Sequence, residues 1–106
     1  MSEWIDVAHE GALADGEHLL IDVDGVAVAV FRIDGEYYAF EDACTHDRFE
    51  IACGRLNGAE ITCPRHAARF CIKTGRALSA PAYEDLTLYP VRVEEGRIQV
   101  GDSPKE

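Results

Sequence analysis

The sequence predicts an all-β domain, an antiparallel β-sandwich or partly open barrel, on three observations. Runs rich in β-branched and aromatic residues alternate with short polar breaks, several breaks contain Asp-Gly or Asn-Gly, and turn signals recur densely along the chain. At 106 residues the chain is expected to be one domain, 1–106, with a single core and no room for a second catalytic domain.

Taken in order, residues 8–14 allow a helical turn. Residues 18–23, 26–33 and 37–40 read as strands, separated by Asp24-Gly25 and Asp34-Gly35, two-residue loops of the kind that type I′ hairpins prefer. An antiparallel meander follows. Asn57-Gly58, Thr74-Gly75 and Glu95-Gly96 then punctuate short runs at 60–63, 70–73, 86–94 and 97–100. The tail Gly101-Asp102-Ser103-Pro104-Lys105-Glu106 is expected to fray.

The net charge of -10 argues against a nucleic-acid partner, because phosphate binding needs a basic face. Its distribution is uneven: residues 1–43 carry eleven acids against Arg32 alone, whereas residues 44–80 carry three acids against six bases. A locally basic segment in an acidic body gives a dipole able to orient the molecule towards a charged partner, although the same charges read equally as a solvated surface. No apolar run approaches the roughly 20 residues that span a bilayer, and the N-terminal stretch is acidic where a signal peptide would be basic and then apolar. The expectation is a soluble, cytoplasmic, monomeric protein with no membrane contact.

Cysteine and histidine carry the chemistry. Cys44 and His46, then Cys63 and His66, form a C-x-H and a C-x-x-H pair with sixteen residues between them. Each pair follows a predicted strand, so two loops can grip one centre from opposite sides. This is metal-site spacing, not a secreted disulfide framework, and no disulfides are expected. Two thiolates and two imidazoles are the ligand set of a 2Fe-2S cluster in which histidines replace cysteines on one iron. With two ferric ions and two sulfides, the oxidised centre is neutral, whereas four thiolates would leave it at -2. Adding an electron then costs less electrostatic work, which is why such centres lie at about -150 to +300 mV and all-cysteine ferredoxins near -400 mV. Zinc also accepts two cysteines and two histidines, but its usual spacing groups like with like.

The segments Cys44-Thr45-His46, 58–75 with Cys63-Pro64-Arg65-His66, 78–82 and Tyr89-Pro90-Val91, together with 4–7 and 97–100, resemble the Rieske-type ferredoxin family over nearly the whole chain. The similarity is greatest to ferredoxin components of bacterial aromatic-ring dioxygenases of the phenylpropionate or cinnamate kind. The resemblance implies a β-sandwich base with a small cluster-binding subdomain at about 42–82, the Rieske iron-sulfur fold. It also implies electron shuttling from a flavin-containing, NADH-dependent reductase to a terminal Rieske non-heme iron oxygenase. Relatives often place glycine after the ligand histidines; Asp47-Arg48 and Ala67 stand there here, which bears on loop shape.

High-potential members of the family carry two further cysteines, joined as a disulfide, where this chain has Phe49 and Arg65. They also carry a serine and a tyrosine, donating to cluster sulfurs, where it has Ala68 and Phe70. Fewer donors to sulfur lower the potential, so a value in the lower part of the Rieske range is expected.

Among the remaining residues, Cys53 and Cys71 lack a histidine at ligand spacing and read as small buried hydrophobes. His9 and His18 read as surface residues. Arg48 and Arg65, close to ligand histidines, form either a basic docking rim or local ion pairs with Asp47 and Glu50. No catalytic residues are expected, because four histidines cannot supply both the cluster and a mononuclear iron triad. The chain therefore reads as an electron carrier. The alternatives are a small Rieske subunit of an enzyme such as nitrite reductase, and a zinc-binding interaction module.

Overall fold

The computed structural model describes residues 3–43, 50–64, 68–80 and 84–105. Ten strands run β1 (Trp4–His9), β2 (His18–Val23), β3 (Val26–Ile33), β4 (Glu36–Glu41), β5 (Arg55–Asn57), β6 (Glu60–Thr62), β7 (Arg69–Cys71), β8 (Leu88–Tyr89), β9 (Val91–Glu94) and β10 (Arg97–Gly101). They form three antiparallel sheets, ordered β1-β10-β9, β2-β3-β4-β8 and β5-β6-β7. The described residues contain no helix long and apolar enough to cross a membrane.

The meander follows from its turns. Val23 pairs with Val26 across Asp24-Gly25, and Ile33 with Glu36 across Asp34-Gly35. Both central residues of each loop have positive φ, 52° and 86° in the first, as a type I′ turn demands. Glu95-Gly96 repeats the geometry between β9 and β10.

The β2-β3-β4-β8 sheet is the middle layer, and β3 explains why. Its Val28 and Val30 point into one apolar cluster with Ile98, Val100 and Tyr89, while its Ala29, Phe31 and Ile33 point into another with Ile61, Cys63, Phe70 and Ile72. A strand covered on both faces has no need of polar alternation, hence the unbroken run Val-Ala-Val-Ala-Val-Phe. Each large side chain so buried contributes about 1.5–3 kcal/mol.

Four expectations change. The tail expected to fray is tied back, the Asp102 N–H donating to the Glu3 carbonyl at 2.9 Å and the Lys105 N–H to the Leu88 carbonyl at 2.7 Å. The run 86–94 is two strands, because Pro90 lacks the N–H that a ladder needs. It makes a corner that sends β8 to β4 and β9 to β10, while its carbonyl accepts from the Gly101 N–H at 2.9 Å. The helical turn at 8–14 shrinks to one 3-10 turn, Glu10–Ala12, because Ala8 and His9 are drawn into β1 by pairing with Ile98 and Arg97. His9 is exposed, as expected, and its Nδ1 accepts from the Gly11 N–H at 3.3 Å. His18 is half-buried, its ring stacked on Phe31 with centroids 4.7 Å apart, and so is not a simple surface residue.

Candidate metal centre

The sheet β5-β6-β7 lies over the Phe31 face of the middle layer and leads directly into Cys63, the first residue of the second predicted ligand pair. Its strands are three residues long, too short to be held by pairing alone. Apolar burial supplements them: Ile61, Phe70 and Ile72 are wholly inaccessible.

Cys63 stands at the C-terminal end of β6, 1 % exposed, among Ile51, Ala52 and Ala68. Its N–H donates to the Ala68 carbonyl at 2.7 Å, one step beyond the Thr62–Arg69 pair of the β6-β7 ladder. A thiol just past the end of β6, in an apolar cluster and free of any disulfide, fits an iron ligand facing the protein interior. His66, Cys44 and His46 lie outside the described residues, as do Arg48, Arg65 and their suggested partner Asp47. Among the described residues, no group of three or more potential metal ligands comes together.

The base of the first loop is described, and it contains a residue that the sequence reading missed. Asp42 is buried, and one of its carboxylate oxygens, Oδ1, accepts from the N–H groups of both Ile51 and Ala52, each at 2.8 Å. Its own N–H donates to Ala27 on β3 at 2.8 Å. Residues 42 and 51–52, which bound the stretch 43–50 in the sequence, are therefore tied together by one side chain. Loss of that acceptor would strand two buried amides, at about 1–3 kcal/mol each. Three residues on, the Gly54 N–H donates to Ile51 at 2.8 Å, and a Cβ at Gly54 would collide with the Thr62 carbonyl, immediately before Cys63. The only local signal was an acidic pair, Glu41-Asp42, ahead of the first cysteine.

Neither remaining cysteine is buried as expected. Cys53 is exposed, in the turn between Ala52 and Gly54, because the two residues before it fill the core and direct the next outwards. Cys71 is half-buried. Its burial raises the thiol pKa, but hydrogen bonds from Thr74 and Lys73 outweigh that and leave it below the ordinary value. Ala68 and Phe70, standing where high-potential relatives have hydroxyl donors, are both wholly buried.

The described bases of the locally basic segment are partly paired. Arg69 meets Glu60 and Lys73 meets Asp34, both at 3.0 Å. All four side chains are substantially exposed, so each pair contributes about 0–1 kcal/mol. The second pair ties the short sheet to the β3-β4 turn.

Comparison with known proteins decides the chemistry, since the Rieske [2Fe-2S] domain model matches residues 3–90. The chain belongs to the Rieske [2Fe-2S] domain family. Within that family it is 38% identical over 98 residues to the ferredoxin component of the naphthalene 1,2-dioxygenase system of Pseudomonas aeruginosa, covering 92% of this chain and 94% of that one. It is 48% identical over 85 residues to the 3-phenylpropionate/cinnamic acid dioxygenase ferredoxin subunit of Escherichia coli (strain K12), 79% of each chain. Its backbone matches a chain from the complex of reduced oxygenase and oxidized ferredoxin in carbazole 1,9a-dioxygenase with a TM-score of 0.91, at 32% identity over 97% of this chain and 96% of that chain. This Rieske ferredoxin is an electron carrier with a Rieske-type 2Fe-2S cluster, and the zinc-module reading falls.

Proposed function

We propose that this Rieske ferredoxin takes single electrons from a flavin-containing, NADH-dependent reductase and delivers them to a terminal Rieske non-heme iron oxygenase acting on an aromatic ring. The observation that carries the proposal is a whole-chain likeness, in sequence and in backbone, to carriers named as components of aromatic dioxygenase systems. Monomeric behaviour in the cytoplasm completes the reading.

Cys44, His46, Cys63 and His66 hold the cluster, within a subdomain spanning about 42–82. The donor set supports this, as does the placement of Cys63, buried just past the end of β6. When bound, the cluster supplies a site that accepts and releases one electron. Cys63 provides an interior thiolate. Ile51, Ala68 and Phe70 keep water from that side, and neither Ala68 nor Phe70 brings a hydroxyl to a sulfur. Fewer donors and a drier wall both disfavour added negative charge, which supports a potential in the lower part of the Rieske range.

Reconstitution tests the proposal. NADH-driven product formation by an aromatic-ring oxygenase and its reductase should depend on this chain, and a redox titration should give a midpoint well below the strongly positive end of the range. Turnover unchanged by omitting the chain, or a strongly positive midpoint at neutral pH, contradicts it.

A further inference from the structure

We infer that Asp42 is a positioning residue for electron transfer: its carboxylate is a clasp that fixes the loop carrying Cys44 and His46 relative to Cys63. The inference rests on the ligand assignment proposed above.

The clasp is built from described contacts in series. Asp42 is nailed to the middle sheet by its N–H to the Ala27 carbonyl, and its neighbour Glu41 by an N–H to the Thr87 carbonyl, both at 2.8 Å. The Asp42 side chain spans nine and ten residues to reach the consecutive amides of Ile51 and Ala52. Those residues are 0% and 4% exposed, locked in the same apolar cluster as Cys63. Gly54 then brings the backbone against the Thr62 carbonyl, at a distance only a residue without Cβ tolerates. From the middle sheet to the residue before Cys63, every link is a backbone contact or a buried hydrogen bond.

This matters because Asp42 and Ile51, which bound the stretch holding both predicted ligands Cys44 and His46, are tied together by that one carboxylate. An electron carrier works fastest when its ligands move little between redox states, so the anchoring of the loop ends sets how far the ligand pair can drift. One oxygen that accepts two amides fixes both at once, and an amide oxygen in the same place can do the same, whereas a methyl group cannot.

Asp42→Asn keeps an oxygen in the same place, whereas Asp42→Ala removes it. In the cluster-loaded protein, three quantities are read: the electron paramagnetic resonance line shape of the reduced state, the rate of cluster loss to a chelator, and single-turnover reduction. Asp42→Ala should broaden the signal, lose cluster several-fold faster and accept electrons several-fold more slowly, while Asp42→Asn stays within about twofold of the parent. Failure of Asp42→Ala to load, with Asp42→Asn normal, also supports the clasp. An Asp42→Asn protein as impaired as Asp42→Ala, or an Asp42→Ala protein indistinguishable from the parent, overturns it. Cys44→Ala is the control: if it retains the signal, the ligand assignment has failed and not the clasp.

Discussion

The base of this molecule and the short sheet that leads into Cys63 are held by different physics. In the base, β3 pairs with β2 and with β4 over six residues each through two-residue turns, and β3 is buried on both faces. Around the β5-β6-β7 sheet, strands of three residues are supplemented by the bonds of the Asp42 carboxylate to two amides ahead of β5, a glycine contact and a hydrogen bond from Cys63 to Ala68. The base is organised by pattern, and the site by anchors. The difference teaches that the cluster's surroundings can be loosened while the scaffold stands.

The most severe break falls on the site alone. Cys63→Ala should abolish the visible chromophore completely while far-ultraviolet circular dichroism keeps its strand signal, and collapse of both together would mean the base depends on the metal. The largest effect on the base comes from Phe31→Ala, which removes a ring stacked on Phe40 at 5.5 Å and on His18. Urea denaturation should show a loss of about 3–5 kcal/mol.

Two glycines sharpen the contrast. Gly54→Ala forces a methyl into the Thr62 backbone, with a cost of about 3 kcal/mol, at the top of the overpacking range, and an accelerated loss of cluster. Gly25→Ala meets nothing within 4 Å, so its only penalty is an alanine at φ +86°, about 1–2 kcal/mol in denaturation and none in cluster retention. The smallest effect is that of pH on the base. Burial, followed by the charges of Glu41 and Asp24, raises the Tyr89 pKa above 10.0. The unfolded chain therefore ionises first, and this contribution is complete below about pH 10 and lost as pH rises through the higher folded value. Tyr89→Phe should flatten the alkaline limb of a stability curve.

Legibility in the sequence divides along the same boundary. Asp24-Gly25 and Asp34-Gly35 marked their hairpins because type I′ chemistry is local, and β2 and β3 were delimited to the residue. β1 escaped because its partner β10 lies some ninety residues away, so pairing, not propensity, makes it a strand. Pro90 was visible, but its use as a corner between sheets was not. At the site, the C-x-H and C-x-x-H spacing pointed to a 2Fe-2S cluster with zinc as the alternative, and the family match decided between them. Asp42 stayed hidden because a carboxylate reaching amides nine and ten residues on leaves no periodic trace, and Cys53 misled because residue type alone does not reveal which way a turn points.

The central claim is that four residues and no others hold a two-iron cluster. Iron and acid-labile sulfide assays on anaerobically purified single variants test it most directly. The parent, Cys53→Ser and Cys71→Ser should each contain two irons and two sulfides per chain, as the family's 2Fe-2S stoichiometry requires. Cys44→Ala, His46→Ala, Cys63→Ala and His66→Ala should each lose most of both. Full iron and sulfide in any of those four, or their loss in Cys53→Ser or Cys71→Ser, would contradict the claim.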